Sequence, residues 1–560
     1  MSAPFNIGEA MREAVAAQQQ GRLRDAEKIY ARVLKAAPAH FDALNLLGTI
    51  KAQQGHIGEA HRLFAAAVKA NPAAPSALSN LGQALHALKR GSEALAALDK
   101  ARALAPNDFG ILYQHANVLL GLDRPGEALA EFQAVLAQMP QHPPQLAEAR
   151  INCGLAQAAL GAPEQALAEF DAALALVPGH PAAQYNRGVA LLKLGRYEEA
   201  VAANDAALAV ESGHVNAWLN RGKALAQLNR YGEAIASYGE VLAIKKDHAD
   251  AQFNQALALL TQGDYRRGFA AYEWRWRRTG MAPQKSRGKP LWLGEYPLAR
   301  KTVLVHAEQG LGDTIQFARY VPMLAASGAK VVLEVQPELQ ALMSRLEGAP
   351  TVIARGEAAG QQNLAFDVHC PVGSLPLALQ TEPATVPAHI PYVTADGARL
   401  AKWSAEIGAL PQPRIALAWS GNPSHDNDRN RSIALRRLAP LFENSPASVI
   451  SIQRDVRDDD AQLLAASRIT SVGHELEDFA DTAAVLALCD LVIAVDTAAA
   501  HLAGAMGRPV FVLVPFAPDW RWTLTGDTTP WYPTARLFRQ PKLDDWDSVI
   551  AAVAAELNRA

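Results

Sequence analysis

Prolines 38, 72, 106 and 140 stand 34 residues apart, and this period constrains the first half of the chain more than any other feature. After a four-residue insertion at 141–144 the frame resumes at Pro178, and Ser212 and Lys246 hold the next two proline slots. Twelve residues before each slot stands alanine: Ala26, Ala60, Ala94, Ala128, Ala166, Ala200 and Ala234. Twenty-four before it stands a small residue: Gly48, Gly82, Ala116, Gly154, Gly188, Gly222 and Ala256. Eight before it is usually an aromatic: Tyr30, Phe64, Phe132, Phe170, Tyr238 and Tyr272. Small residues let two helices approach, the aromatic wedges between them, and proline stops the second helix. Each period is then one helical hairpin, and such units stack on their neighbours into a superhelix with a concave groove.

These slots resemble the tetratricopeptide repeat family, in about eight units over residues 1–278. Two residues before the small slot an amide recurs: Asn80, Gln114, Asn152, Asn186, Asn220 and Asn254. In this family that position lies on the helix facing the groove. An amide offers both donor and acceptor, so a line of them suits an extended peptide backbone of any sequence. The alternative is that asparagine is simply common in the family's pattern. Asn45 lies one residue off the frame, which leaves the start of this ladder open. The last repeat decays: Gly268 replaces the alanine, and Trp274-Arg275-Trp276-Arg277-Arg278 follows Tyr272. That basic, aromatic end suits either an anion or packing against the next domain. Residues 279–298 read as a linker.

At 560 residues the chain exceeds one core, and half of it is apolar, which excludes a disordered chain. A net charge of −3 gives no electrostatic case for nucleic acid. The N-terminus has no basic start followed by an apolar run, and no apolar stretch reaches membrane length. Cys153, Cys370 and Cys489 share no ligand spacing and read as buried thiols in a reducing compartment. A cytoplasmic protein is expected.

Beyond the linker the pattern changes to β-rich runs alternating with helices. Candidate strands lie at 301–306, Lys330–Val335, 414–419, 447–453, 469–471, Leu491–Val495 and Val510–Val514. Residues 490–515 are the most telling stretch. A buried strand ends in Asp496-Thr497, a small-residue helix runs to Met506, Gly507 stops it, and a second buried strand follows. Ligands of such sheets sit beyond the strands' carboxyl ends, where Asp496, Thr497 and His501 gather. Thr497 is expected to cap the helix, leaving the amides of Ala498, Ala499 and Ala500 for a phosphate.

Val495-Asp496-Thr497 with His501-Leu502-Ala503 and Gly507-Arg508-Pro509 is similar to the donor-site signature of glycosyltransferase family 9, the heptosyltransferase-like enzymes. Gly310-Leu311-Gly312-Asp313 resembles that family's first-loop signature. The resemblance covers about residues 298–540. It implies an α-helical repeat superhelix followed by an α/β GT-B fold of two Rossmann-like lobes, at 299–395 and 396–560. It further implies inverting, metal-independent transfer from a nucleotide-diphosphate sugar, with no cofactor. Heptosyltransferases lack such repeats. The order of repeats then transferase is similar in layout to the O-linked N-acetylglucosamine transferases, which glycosylate proteins.

Inverting transfer needs a base for the acceptor hydroxyl. Asp313 stands at the family's position for it, with an N-cap as its alternative role and Glu308 in reserve. Gly310 and Gly312 would let backbone approach the donor. Arg431 offers a guanidinium to a pyrophosphate. Ser420 and Asn422 follow the strand at 414–419, and Gln453 ends another strand, so all three are counted with the donor site. His501 reaches a phosphate or hydroxyl, or faces the core. Arg521 belongs to an aromatic segment, Asp519-Trp520-Arg521-Trp522 with Trp531-Tyr532, that either covers the donor or packs between lobes. Asp458-Asp459-Asp460 reads as a helix start rather than a metal site. The expected partners are a nucleotide-sugar and a protein or peptide acceptor in the repeat groove. Self-association through the repeats, a small glycan or lipid acceptor, and a non-catalytic scaffold remain the alternatives.

Overall fold

The computed structural model describes residues 5–138, 142–279, 288–308, 310–356, 365–425, 427–443 and 445–559. Pro140, Gln309 and residues 280–287 of the expected linker lie outside them. The chain divides into two compact units, Met1–Asn220 and Arg221–Ala560.

The 34-residue period forms hairpins as its slots predict. Eight pairs of helices run from Ile7–Gln19 and Leu23–Ala36 to Ala249–Thr261 and Tyr265–Tyr272. Each alanine of the slot twelve before the proline is fully buried. A Cβ on Gly48 would stand 2.6 Å from the Phe64 ring, and one on Gly154 would stand 2.6 Å from Phe170. The small residue therefore exists to admit the aromatic of its own hairpin. The four-residue insertion becomes one further helical turn: Pro143–Ala159 has 17 residues where Phe109–Gly121 has 13. Two hairpins lack the aromatic: Leu98 fills its slot over Gly82, and the other departs further. Asn204 occupies the aromatic slot over Gly188, fully buried, with its amide donating to the Ala200 carbonyl at 2.7 Å and its Oδ1 without a partner.

The second unit holds two all-parallel sheets. The first is ordered β3-β2-β1-β4, from β1 (Thr302–His306), β2 (Lys330–Val335), β3 (Thr351–Ala354) and β4 (Val368–Pro371). The second is ordered β10-β9-β8-β5-β6-β7. Its strands are β5 (Arg414–Ala418), β6 (Ser448–Ser451), β7 (Thr470–Ser471), β8 (Leu491–Val495), β9 (Val510–Val514) and β10 (Ala535–Arg539). This is the expected two-lobed α/β fold. The end of the array belongs to the same unit and the same apolar core. Tyr265 and Phe269 pack edge-on against Trp520, and Trp531 donates from Nε1 to the Tyr265 hydroxyl at 3.1 Å. The described part of the expected linker also packs. Trp292 is buried, and residues 290–292 exchange backbone hydrogen bonds with His369 at the edge of β4. All three cysteines are buried and free. Among the described residues no helix is long and apolar enough to cross a membrane.

Candidate active site

In each sheet the strand order reverses once, and the crevice for a ligand lies at that reversal, beyond the carboxyl ends. In the first lobe it falls between β1 and β4, in the second between β5 and β8. The two crevices are filled differently.

Between β1 and β4 stands Glu308, almost buried, accepting from Arg275 Nε at 2.7 Å, Arg275 Nη2 at 2.8 Å and the Gly373 amide at 2.9 Å. Arg275 comes from the basic, aromatic end of the array. It also donates to Ser374 Oγ at 2.8 Å and Glu273 at 2.6 Å, and stacks on Tyr272 and Trp276. That end therefore packs onto the first lobe. Glu308, with both oxygens engaged by a buried guanidinium, is an anchor and a poor reserve base.

Gly310 is the N-cap of the next helix, Leu311–Phe317, and Asp313 stands in its first turn, so Asp313 is not the cap. Its carboxylate is paired with Arg521 of the second lobe. Burial raises its pKa, Arg521 opposes that, and the carboxylates of Glu308 and Asp519 add to the rise. The glycines make room for protein groups. A Cβ on Gly310 would meet Asp313 Oδ2 at 2.5 Å, and one on Gly312 would meet the His501 ring at 2.8 Å. Gly312 thus brings the Asp313 turn against the helix Ala498–Ala505.

That helix leaves the carboxyl end of β8. Thr497 occupies the N-cap position but makes no side-chain cap; its hydroxyl donates back to the Val495 carbonyl at 3.3 Å. The Ala500 amide bonds to the Thr497 carbonyl at 3.1 Å, while those of Ala498 and Ala499 make no hydrogen bond among the described residues. Two free amides, not three, therefore open on the crevice. Arg431 spans it, donating from Nη1 to the Asp496 carbonyl at 3.0 Å, and its guanidinium lies over Gly421. Burial pushes the Asp496 carboxyl up to about 6, with Asp519 adding to the rise. His501 is buried, stacks on Trp522 and shares a 2.9 Å hydrogen bond between Nδ1 and the Tyr532 hydroxyl. Burial and three nearby arginines lower its pKa well below the usual range, so it is neutral. Its Nε2 is 3.9 Å from Asp496 Oδ1, beyond a hydrogen bond.

Other expected donor residues serve the scaffold of this crevice. Gln453 spends its amide on backbone, accepting from Trp419 and Ser420 and donating to the Ser420 and Asp455 carbonyls, which holds the loop after β5 and leaves no group for a base or ribose. Ser420 is buried at that loop with its hydroxyl unpaired, and exposed Asn422 closes a turn onto Ser424. Trp520, Trp522, Trp531 and Tyr532 are buried, so the aromatic segment is packing and not a lid. Asp458, Asp459 and Asp460 begin a helix, and Asp460 accepts from Trp419 Nε1 at 2.7 Å. Arg521 is held by Asp519, which the sequence showed only as part of the aromatic segment, and by Gln316, which escaped notice because nothing marks it apart from its helix neighbours.

In the array Asn80 donates to Asn45 at 3.0 Å, and Asn152 donates to Asn117 at 3.0 Å and to the Tyr113 hydroxyl at 2.8 Å. The amides thus link successive hairpins, and the off-frame Asn45 takes part. Asn220 lies beside Tyr185. Gln114, Asn186 and Asn254 make no side-chain hydrogen bond among the described residues.

Residues 11–55, 46–109, 113–181, 154–213, 185–246 and 219–273 match the tetratricopeptide repeat family, and 464–540 match glycosyltransferase family 9 (heptosyltransferase). The chain carries tetratricopeptide repeats and, after them, a glycosyltransferase family 9 domain. The matched part of the family 9 domain holds β8, Asp496, His501, β9 and Arg521. Protein FlbA of Caulobacter vibrioides is 28% identical over 289 residues, and the match covers 48% of each chain. The chain therefore spans about half the length of the curated relative it matches. Similar solved structures include a tetratricopeptide repeat protein from Parabacteroides merdae, 17% identical, over 45% of this chain and 98% of that one, with a TM-score of 0.37. Another is PilF of Pseudomonas aeruginosa, 19% identical, over 39% and 96%, with a TM-score of 0.35.

Proposed function

We propose that this protein transfers a sugar from a nucleotide-diphosphate donor to a hydroxyl of a protein presented by the repeats, with inversion at the sugar and without a metal. One observation carries this reading: Gly312 brings the carboxylate-bearing turn of the first lobe against the β8 helix start of the second. A donor with its diphosphate at the Ala498 and Ala499 amides and Arg431 would have its sugar toward Asp313. The acceptor oxygen attacks the anomeric carbon, the bond to the diphosphate breaks, and the hydroxyl proton passes to Asp313. Arg431 and the helix start oppose the charge growing on the leaving diphosphate. A raised pKa makes Asp313 a stronger base than an exposed aspartate. Neutral His501 can offer Nε2 to a hydroxyl without repelling Arg431. A protein acceptor is favoured by the three unengaged amides of the array, which retain donor and acceptor capacity.

Asp313→Asn should lower transfer at least about 100-fold, the scale of a lost general base, and leave nucleotide-induced stabilisation intact. Unchanged turnover would remove Asp313 from the mechanism. A protein captured by the repeats that never acquires sugar would favour the scaffold alternative.

A further inference from the structure

Arg521 makes a set of contacts that the transfer reading does not use. It stands on the short turn Trp520–Trp522 in the second lobe and is almost wholly buried. Its Nη1 is held by both oxygens of Asp519, at 2.9 and 3.0 Å, so the guanidinium is fixed to its own lobe. Its Nη2 pairs with Asp313 and its Nε with Gln316, both on the first-lobe helix. Trp520 and Phe317 lie against its faces, with ring centroids 4.5 and 5.6 Å from Cζ. All three guanidinium nitrogens are engaged, and the residue is 7% exposed.

We propose that Arg521 is a positioning residue for the transfer step: carried by Asp519 on the second lobe, it holds the Asp313 carboxylate in place as the base and makes the base competent only when the two lobes are in contact. This rests on the assignment of Asp313 above. The groups around Asp313 support it. Its own loop brings Glu308, already paired with Arg275; the array end brings Arg275 and Tyr272; the turn after β9 brings Arg521 and Asp519; and the helix packed on Gly312 brings His501, with Asp496 before it. Among the described residues Arg521 alone pairs with Asp313. Without it, Asp313, whose side chain is 35% exposed, would face Asp519 with no cation in contact, and its carboxyl would be pushed higher than it is beside Arg521, leaving less of it ionised. An ionised Asp313 is what a base requires, and Arg521 supplies the condition for it from across the cleft.

The test is the pH dependence of kcat/KM in the full chain. The reaction followed is release of nucleoside diphosphate from UDP-glucose, UDP-N-acetylglucosamine, GDP-mannose and ADP-glucose, with water as acceptor. Arg521→Gln should move the acid limb up by a pH unit or more, with the rate returning to within a few-fold of wild type at pH 9. Arg521→Lys should move it less. Asp519→Asn, whose remaining oxygen still accepts from Arg521 Nη1 and from its backbone amide, should move the limb down, because Arg521 stays in place while Asp313 loses a neighbouring negative charge. Opposite shifts from two neighbours in one turn are not what a fold defect gives. Equal losses at every pH in all three variants would overturn the proposal while leaving the transfer reading intact, provided Asp313→Asn remains inactive. Activity surviving Asp313→Asn, or no release from any of the four donors, would remove the base assignment and this proposal with it.

Discussion

Asp496 is the residue at which function and stability pull apart. Its carboxyl is pushed up to about 6 by burial, against about 3.9 in an unfolded chain. A raised acid favours folding in its protonated form, so its contribution is fully present below about pH 4 and lost as pH rises through about 6. Asp496→Asn should therefore stabilise the protein at pH 8 by about 3 kcal/mol, with the gain vanishing near pH 4, as read by urea unfolding at both pH values. A variant less stable than wild type at pH 8 would mean that the charged carboxylate is welcomed by its surroundings. Residue types at this site were legible in the sequence, because Asp313 follows the first strand of one lobe while Asp496, Thr497, His501 and Arg431 follow strands β8 and β5 at the crevice of the other. Their partners were not. That Arg521 pairs with Asp313, or that Gln453 clamps a loop, depends on contacts between groups far apart in the chain, and no local pattern records them.

Elements were read more securely than contacts. A 34-residue repetition states the same packing rule many times, so single departures such as Leu98 in the aromatic slot do not obscure it. Leu491–Val495 and Val510–Val514 end where the sequence suggests, since each apolar run is bounded by a charged or helix-stopping residue. The short β3, β4 and β10 were not named; β10 carries Arg536 and Arg539 among its apolar residues, which breaks the run a buried strand usually shows. Asn204 shows what the hairpin rule costs when broken. Its Oδ1 is buried and unpaired, and Leu98 fills the same slot over Gly82. Asn204→Leu should stabilise the Met1–Asn220 unit by about 1 kcal/mol, the order of one unsatisfied buried polar atom, in denaturant unfolding followed by helical circular dichroism. A loss of stability would show that the bond to Ala200 outweighs the unpaired oxygen.

At the scale of the molecule, the sequence boundary between repeats and transferase is not a boundary of packing. Tyr265, Phe269 and Arg275 belong to the array by repeat frame and to the lobes by contact. A chain beginning at residue 279 exposes Trp520 and Trp531 and leaves Glu308 buried without Arg275, a loss of several kcal/mol. It should be insoluble or unfolded, whereas one beginning at residue 215 should fold cooperatively. Equal stability of the two, by calorimetry, would contradict the shared core. The claim on which the whole account depends is that the crevice between β5 and β8 takes a nucleoside diphosphate. The most direct measurement is the unfolding temperature of the full chain with millimolar ADP, GDP, UDP and CDP, beside Arg431→Ala. A ligand that binds only the folded state raises that temperature. A rise with one nucleotide, lost in Arg431→Ala, is the predicted result, and no rise with any of the four would contradict the account.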